Sequence, residues 1–130
     1  MTTFWVKRVQ HVSVTRPYGS HDQVRAFYGD ILGLTEITVP TTLRQQELIW
    51  YQAGDDELHL VAEDNADNTK SGRHLCLEVD DLAALRVRLG SSGVEIQEAT
   101  PIPGRPRLFV LDPFGNGIEL TEFELGAAAS

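Results

Sequence analysis

The sequence predicts an α+β fold in which two βαβββ modules form a curved mixed sheet with helices on its outer face. The order strand, helix and three strands occurs twice in the 130 residues, at 9–62 and at 73–122, and the polar linker 63–72 separates the copies. Each copy contains one stretch with helical periodicity among short alternating stretches. The length and the 42% hydrophobic content suit a single domain, 1–130, with a sizeable core.

The first module begins with a strand at 9–14, where Val12 and Val14 alternate with polar residues. A helix at 20–32 follows, because its apolar residues recur at i, i+3, i+4, i+7 and i+8 and Gly33 is placed to end it. The remaining alternating stretches predict three strands, at 36–39, 47–52 and 57–62.

The second module repeats this order. A strand at 73–79 precedes a helix at 81–89, for which Asp80 or Asp81 is the expected N-terminal cap. A short strand at 94–96 and a proline-rich loop at 100–106 follow. The module closes with a hairpin whose two strands, 107–111 and 118–122, flank a segment dense in turn-forming residues.

Four ionisable residues occupy matched positions in the two copies. His11 and His74 lie in the first strands, 63 residues apart, and His59 and Glu119 lie in the last strands, 60 residues apart. Each alternates with the apolar residues of its strand, so its side chain is expected on the face opposite them. The repeat predicts that the four side chains share one polar face.

These residue types are donors for a divalent transition metal ion. A strand histidine taken alone is more often hydrogen-bonded than metal-bound, but several imidazoles and one carboxylate match the ligands of Zn²⁺, Ni²⁺, Co²⁺, Mn²⁺ or Fe²⁺. A metal site and a hydrogen-bonded polar cluster both remain open on this argument. His21 has no matched partner and is expected to be solvated, and Cys76 is expected to be a small structural residue.

Composition excludes several functions. A net charge of −8 argues against binding to nucleic acid or to an anionic membrane surface. The single cysteine excludes an intrachain disulfide, and no apolar run is long enough to span a membrane. With no recognisable signal peptide at its N-terminus, the chain is expected to be cytoplasmic.

Four motifs carry a resemblance to a known family: HVSV at 11–14, FYGDILGL at 27–34, HLCLEVDD at 74–81 and DPFGNGIEL at 112–120. On these motifs the sequence resembles the vicinal oxygen chelate superfamily of glyoxalases, bleomycin-resistance proteins and extradiol dioxygenases. The resemblance implies paired βαβββ modules, a homodimer and a small-molecule substrate that chelates a divalent metal ion through neighbouring oxygens. It implies His11, His74 and Glu119 as metal ligands, with His59 at the fourth position.

The resemblance favours a metal-dependent lyase or isomerase of the glyoxalase or epimerase type. Glu119 is then both ligand and catalytic residue, and Glu47 lies near the position of the general base in epimerase-like members. One alternative is a metal-free drug-binding protein of the bleomycin-resistance type. Another is a small extradiol dioxygenase with an iron site of two histidines and one carboxylate. Apolar residues near the chain ends, Phe4, Trp5 and Phe123, add to the expectation of a homodimer.

Overall fold

The computed structural model of the chain describes residues 5–124. The chain divides into two compact units. The first comprises the residues up to Gly29 together with Gly33–Ala66, and the second comprises Asp30–Leu32 together with the residues from Asp67 onward. The boundary between the units falls inside the predicted linker 63–72, and residues 30–32 of the first predicted module belong to the second unit.

The first unit contains a mixed sheet of four strands in the order β1-β4-β3-β2. Strand β1 is parallel to β4, whereas β4, β3 and β2 are successively antiparallel. The strands span His11–Arg16 (β1), Thr35–Ile37 (β2), Ile49–Ala53 (β3) and Asp56–Ala62 (β4). Between β1 and β2 the chain forms a short helix α1, His21–Val24, that continues as a π-helical segment, Arg25–Ile31.

The two faces of the first sheet differ in chemistry. The apolar face is buried and meets the helical segment, since the rings of Tyr28 and Tyr51 lie 6.1 Å apart. The opposite face, called the first polar face below, includes His11, Ser13, Trp50, Gln52, Glu57 and His59, as the strand pairing and the alternation of side chains require.

The second unit repeats this architecture. Its four strands lie in the order β5-β8-β7-β6, with β5 parallel to β8 and the other pairs antiparallel. The strands span His74–Glu78 (β5), Gln97–Glu98 (β6), Arg107–Leu111 (β7) and Gly117–Thr121 (β8). Helix α2, Leu82–Ser91, follows β5, and the Asp81 side chain caps it by accepting a hydrogen bond from the Ala84 amide at 3.0 Å.

The second sheet also has one buried apolar face, which carries Leu108, Val110, Ile118 and Leu120. Its other face, called the second polar face, consists of His74, Cys76, Glu78, Arg107, Phe109, Gly117 and Glu119. The tight turn between β7 and β8 is held by Asp112, whose carboxylate accepts hydrogen bonds from the amides of Phe114 and Asn116 at 2.9 and 2.8 Å.

The prediction of two βαβββ modules is confirmed, and each module has its own mixed sheet of four strands. Several boundaries were wrong. The helix predicted over 20–32 is α-helical for only one turn, and the strand predicted at 94–96 lies at Gln97–Glu98. Between the strands predicted at 36–39 and 47–52 the chain forms a 3-10 helix, Thr41–Gln46. The described part of the chain has no helix long and apolar enough to cross a membrane.

Candidate functional site

The register of the strands places the four candidate ligands equivalently in the two units. His59 pairs with Ser13, two residues after His11, and Glu119 pairs with Cys76, two residues after His74. His11 is the first residue of β1 and His74 is the first residue of β5. In the predicted strands, which began at 9 and 73, they were the third and second residues. Each unit therefore brings its own first-strand and last-strand residues together, His11 with His59 and His74 with Glu119.

In the first unit the two imidazoles belong to a stack of three rings. The centroids of His11 and His59 lie 4.1 Å apart with 18° between the planes. On its other side His59 stacks on Trp50, at 3.9 Å and 1°. His59 is buried and His11 is exposed, so His11 forms the solvent side of the stack.

Glu57 is a residue of this site that the sequence did not single out. His59 Nε2 donates to Glu57 Oε1 at 2.9 Å, and this hydrogen bond is the largest of the effects that lower the pKa of Glu57. Glu57 stands two residues before His59 on β4, so the alternation of strand residues places both on one face. That spacing was the available signal, but Glu57 is the first residue of the strand predicted at 57–62 and follows two acidic turn residues, so it did not stand out as part of a site.

In the second unit His74 and Glu119 face each other directly. His74 Nε2 lies 3.3 Å from Glu119 Oε1, and the Glu119 side chain is only 7% exposed. The other carboxylate oxygen, Oε2, accepts from Arg107 Nη1 at 3.3 Å. Arg107 is thus a second residue that sequence reasoning missed. The contact joins residues that are 12 positions apart on neighbouring strands. No local sequence motif predicts it.

A glycine makes room for the histidine of this pair. Gly117 is the strand partner of His74, at the position that Glu57 occupies in the first unit. A Cβ atom on Gly117 would lie 3.3 Å from His74 Cβ and 3.4 Å from the Arg73 carbonyl oxygen. The lack of a side chain at this position therefore leaves His74 free to lie against Glu119.

Cys76 lies between these groups on the second polar face and is exposed. Partial burial of the thiol raises its pKa, as does the nearby charge of Glu119, while the smaller effect of Arg105 lowers it. The thiol is consequently held in its neutral form, which suits the small structural role predicted for this residue.

Glu47 occupies a different place from the one predicted. It precedes β3 and ends the 3-10 helix in a left-handed conformation, with φ of +54°, so it does not lie on a strand. Its carboxylate accepts from the Gly19 amide at 2.8 Å and lies 3.4 Å from Nη1 of the buried Arg16. The Gly19 hydrogen bond is the main reason that the pKa of Glu47 is lowered. His21, predicted to be solvated, lies 3.4 Å from the same carboxylate.

The distance within the second pair would suit two ligands of one ion, and it is also that of an ordinary imidazole–carboxylate contact. Donor atoms bound to a common zinc-like ion at about 2.0–2.2 Å stand roughly 3.3 Å apart at tetrahedral angles, close to the 3.3 Å between His74 Nε2 and Glu119 Oε1. The first pair has suitable donors, but its rings are stacked face to face, so their lone pairs lie in nearly parallel planes. Among residues 5–124, no three histidine, cysteine, aspartate or glutamate side chains form a group that could hold a metal ion. Each unit presents a pair of donors that fits in chemistry, and the second pair fits in distance as well.

Comparison with known proteins identifies the family. Residues 8–120 match the family model of the Glyoxalase/Bleomycin resistance protein/Dioxygenase superfamily. A crystal structure of a glyoxalase family protein from Bacillus anthracis is 31% identical and superposes with a TM-score of 0.87, over 95% of this chain and 100% of that one.

More distant solved structures share the fold alone. Lactoylglutathione lyase from Agrobacterium tumefaciens is 20% identical, with a TM-score of 0.69 over 96% of this chain and 100% of that one. The fosfomycin resistance protein FosX from Listeria monocytogenes is 14% identical, with a TM-score of 0.74 over 92% of this chain and 96% of that one. A search of curated proteins found no match.

Proposed function

Because the chain belongs to the Glyoxalase/Bleomycin resistance protein/Dioxygenase superfamily, we propose that it is a divalent-metal-dependent enzyme of the lyase or isomerase type. Its substrate is a small molecule that chelates the metal through neighbouring oxygens, and His11, His59, His74 and Glu119 are the ligands. The observation that carries the proposal is the equivalent placement of the pairs His11–His59 and His74–Glu119 in the two units. We expect the protein to act in the cytoplasm.

The hydrogen bonds of each histidine determine which of its ring nitrogens could bind the metal ion. His74 Nδ1 donates to the Gly72 carbonyl oxygen at 3.1 Å and His11 Nδ1 donates to Gln10 Oε1 at 2.7 Å. Both rings therefore keep Nε2 available as a lone-pair donor. His59 uses Nε2 on Glu57 and keeps Nδ1. Partners of this kind set the tautomer and the orientation of a ligating imidazole.

The bound ion would supply a Lewis acid that polarises the oxygens of the substrate. Glu119 would offer Oε1 as the anionic ligand, because Oε2 is held by Arg107. A carboxylate fixed through one oxygen keeps its direction during the reaction, which is the requirement for preorganised charge stabilisation.

Proton transfer requires a carboxylate that can reach the substrate directly or through one water molecule. Glu57 lies on the first polar face, two residues from His59, and Glu119 lies on the second. The role of Glu47 as a general base stays a prediction. Its bonds to Gly19 and Arg16 lower its pKa and weaken it as a proton acceptor. Comparing turnover of Glu47→Gln with that of Glu57→Gln on one substrate tests which of the two acts.

Metal binding is the direct test of the proposal. We expect Zn²⁺, Ni²⁺, Co²⁺, Mn²⁺ or Fe²⁺ to bind the chelator-treated protein. At 100 times the dissociation constant, the ion should add about 2.7 kcal/mol to the free energy of unfolding and raise the melting temperature by roughly 10 °C. His11→Ala, His74→Ala and Glu119→Gln should each abolish the shift, and His59→Ala should reduce it. His21→Ala is the matched control, since the fourth histidine lies off the polar faces. Protein that binds none of the five ions would end the proposal.

A second candidate function rests on the ring stack of the first unit. Trp50, His59 and His11 form an aromatic surface beside the anionic Glu57, in a protein of net charge −8. Such a surface suits an aromatic, cationic drug, as in metal-free members of the bleomycin-resistance type. Two results together would replace the enzymatic function by drug binding. Bleomycin would bind the metal-free protein and lose that binding in Trp50→Leu, and none of the five metal ions would bind.

A further inference from the structure

We infer that Arg105 and Arg107 together bind an anionic oxygen group of the substrate, a carboxylate or a phosphate, at the second polar face. The inference rests on the proposed function in one respect, namely that the anion belongs to the substrate of the same site. Arginine presents a planar fork of donors that matches both groups.

Arg107 is oriented before any ligand arrives. Its Nε and Nη2 atoms donate to the Thr100 carbonyl oxygen at 3.1 and 2.9 Å, and only the long contact of Nη1 reaches Glu119. The guanidinium also lies 5.6 Å from the centre of the Phe109 ring. An arginine held by the backbone and by a ring loses little freedom on binding, so the position is preorganised.

Arg105 contributes one donor that the described residues leave without a partner. Its Nε atom is buried and has no hydrogen-bond partner among residues 5–124. The guanidinium lies over the Phe123 ring, 4.9 Å from its centre, and reaches the Cys76 side chain on the second polar face. A buried donor without a partner is unfavourable, and an anion beside it would satisfy that donor.

The loop that carries Arg105 is hydrogen-bonded to residues 121–124, at the end of β8 and just after it. The carbonyl oxygen of Pro106 accepts from the amide of Glu122 at 3.0 Å and from Oγ1 of Thr121 at 2.9 Å. The carbonyl oxygen of Gly104 accepts from the amide of Glu124 at 3.0 Å. These bonds hold the backbone on both sides of Arg105, so its position does not depend on a bound ligand.

The charges of this face are balanced, so an anion would be recognised by local hydrogen bonds. Glu119 pairs with Arg107, whereas Arg105 forms no ion pair with a carboxylate among residues 5–124. The other acidic residue of the face, Glu78, is exposed and forms no ion pair in the same part of the chain. Its charge offsets that of Arg105 over the face as a whole. The attraction for an anion is therefore confined to the guanidinium groups of the two arginines.

The test uses malonate and inorganic phosphate as probes, titrated calorimetrically into the metal-free, full-length protein. We expect at least one of them to bind, and the tighter of the two identifies the anionic group. Arg105→Gln and Arg107→Gln should each weaken binding about tenfold or more, the effect of losing a charge-assisted hydrogen bond. Arg105→Lys should recover only part of the affinity, because lysine keeps the charge without the fork.

Arg86→Gln is the matched control, because it removes an exposed cation of the same unit that pairs with Glu98. This variant should bind the anions like the unaltered protein. If neither anion binds, or if both bind Arg105→Gln as tightly as the unaltered protein, the inference is wrong. Metal titrations on the same samples separate the two proposals, since metal binding without anion binding removes only the inference and anion binding without metal binding removes only the enzymatic proposal.

Discussion

At the scale of single residues, the hydrogen-bond partners of the candidate ligands matter as much as the ligands themselves. Glu57 holds one nitrogen of His59, and Arg107 holds one oxygen of Glu119. Such partners are known to change metal affinity by about 10- to 100-fold when they are removed. These hydrogen bonds also determine which nitrogen or oxygen atom of each ligand remains available to a metal ion. The residue type alone does not determine this.

Replacing Glu57 should reveal this effect. Glu57→Ala should weaken metal binding by about 10- to 100-fold. Glu57→Gln should weaken it less, because the amide oxygen can still accept from His59 Nε2. The protonation of the two His59 nitrogens, measured by ¹⁵N NMR on metal-free protein, gives a readout independent of activity. It should change in Glu57→Ala and persist in Glu57→Gln, and an unchanged tautomer in both variants would refute the role.

Replacing Glu47 should show a pH-dependent loss of stability. The pKa of Glu47 is lowered in the folded protein, chiefly by the Gly19 amide and then by the charge of Arg16. A carboxyl group of this kind stabilises the fold above its unfolded pKa of about 4.3, and the contribution is lost as the pH falls through the folded value. Urea unfolding should therefore find Glu47→Gln less stable than the unaltered protein at pH 7, with a smaller difference near pH 4. An equal difference at both pH values would contradict this prediction.

At the scale of elements, the strand pairs β1–β4 and β5–β8 generate both candidate pairs. Each is a parallel pair at one edge of a sheet. In the first pair His59 lies opposite Ser13, and in the second pair Glu119 lies opposite Cys76. Both partners come two residues after the histidine of the first strand. The third strand adds an aromatic residue at the same level, Trp50 in one unit and Phe109 in the other. The duplication is therefore one of strand register as well as of element order.

Gly90 and Gly93, near the C-terminal end of α2, provide a matched test of where this helix ends. Gly90 lies within the helix, and a Cβ atom there would meet nothing within 4 Å, so Gly90→Ala should stabilise the protein by roughly 0.5 kcal/mol. Gly93 has a φ of +76°, so Gly93→Ala should destabilise it by about 1 kcal/mol. Chemical unfolding of both variants measures these changes, and effects of the same sign would contradict the assignment of the helix end.

At the scale of the whole molecule, the expected homodimer stays a prediction. Among the described residues Trp5, Val6 and Val9 are exposed, and Val12 on the edge strand β1 is 40% exposed although its neighbours on that face belong to the core. Phe123, the other terminal aromatic residue expected to seek a partner, lies under Arg105, and Phe4 is outside the described residues.

Light scattering coupled to size exclusion measures the assembly. At micromolar concentration we expect twice the chain mass of 14.4 kDa. Trp5→Ser should favour the monomer if the N-terminal segment contributes to the interface. Tyr18→Ser is a suitable control, since Tyr18 is also exposed but lies in a turn. A monomeric mass for the unaltered protein would contradict the prediction.

The sequence by itself determined the duplicated order of elements and, in each unit, the polar side of the sheet on which that unit's two candidate ligands lie. It placed β7 at its observed bounds and narrowed the cap of α2 to Asp80 or Asp81, of which the structure selects Asp81. These features depend on patterns within a few consecutive residues: alternation in strands, a capping side chain at a helix start and turn-forming residues in a hairpin. Local chemistry decides such features, so they can be derived without the fold.

Only the tertiary structure decided which groups meet. The contacts of Glu119 with Arg107 and of Glu47 with Arg16 join residues 12 and 31 positions apart. The position of Glu47 before β3, rather than on it, depends on its left-handed conformation and on the buried arginine that it contacts. The sequence pattern around each of these residues is compatible with several strand registers. Strand register and burial select one of them, and in doing so they set the environment of every candidate ligand.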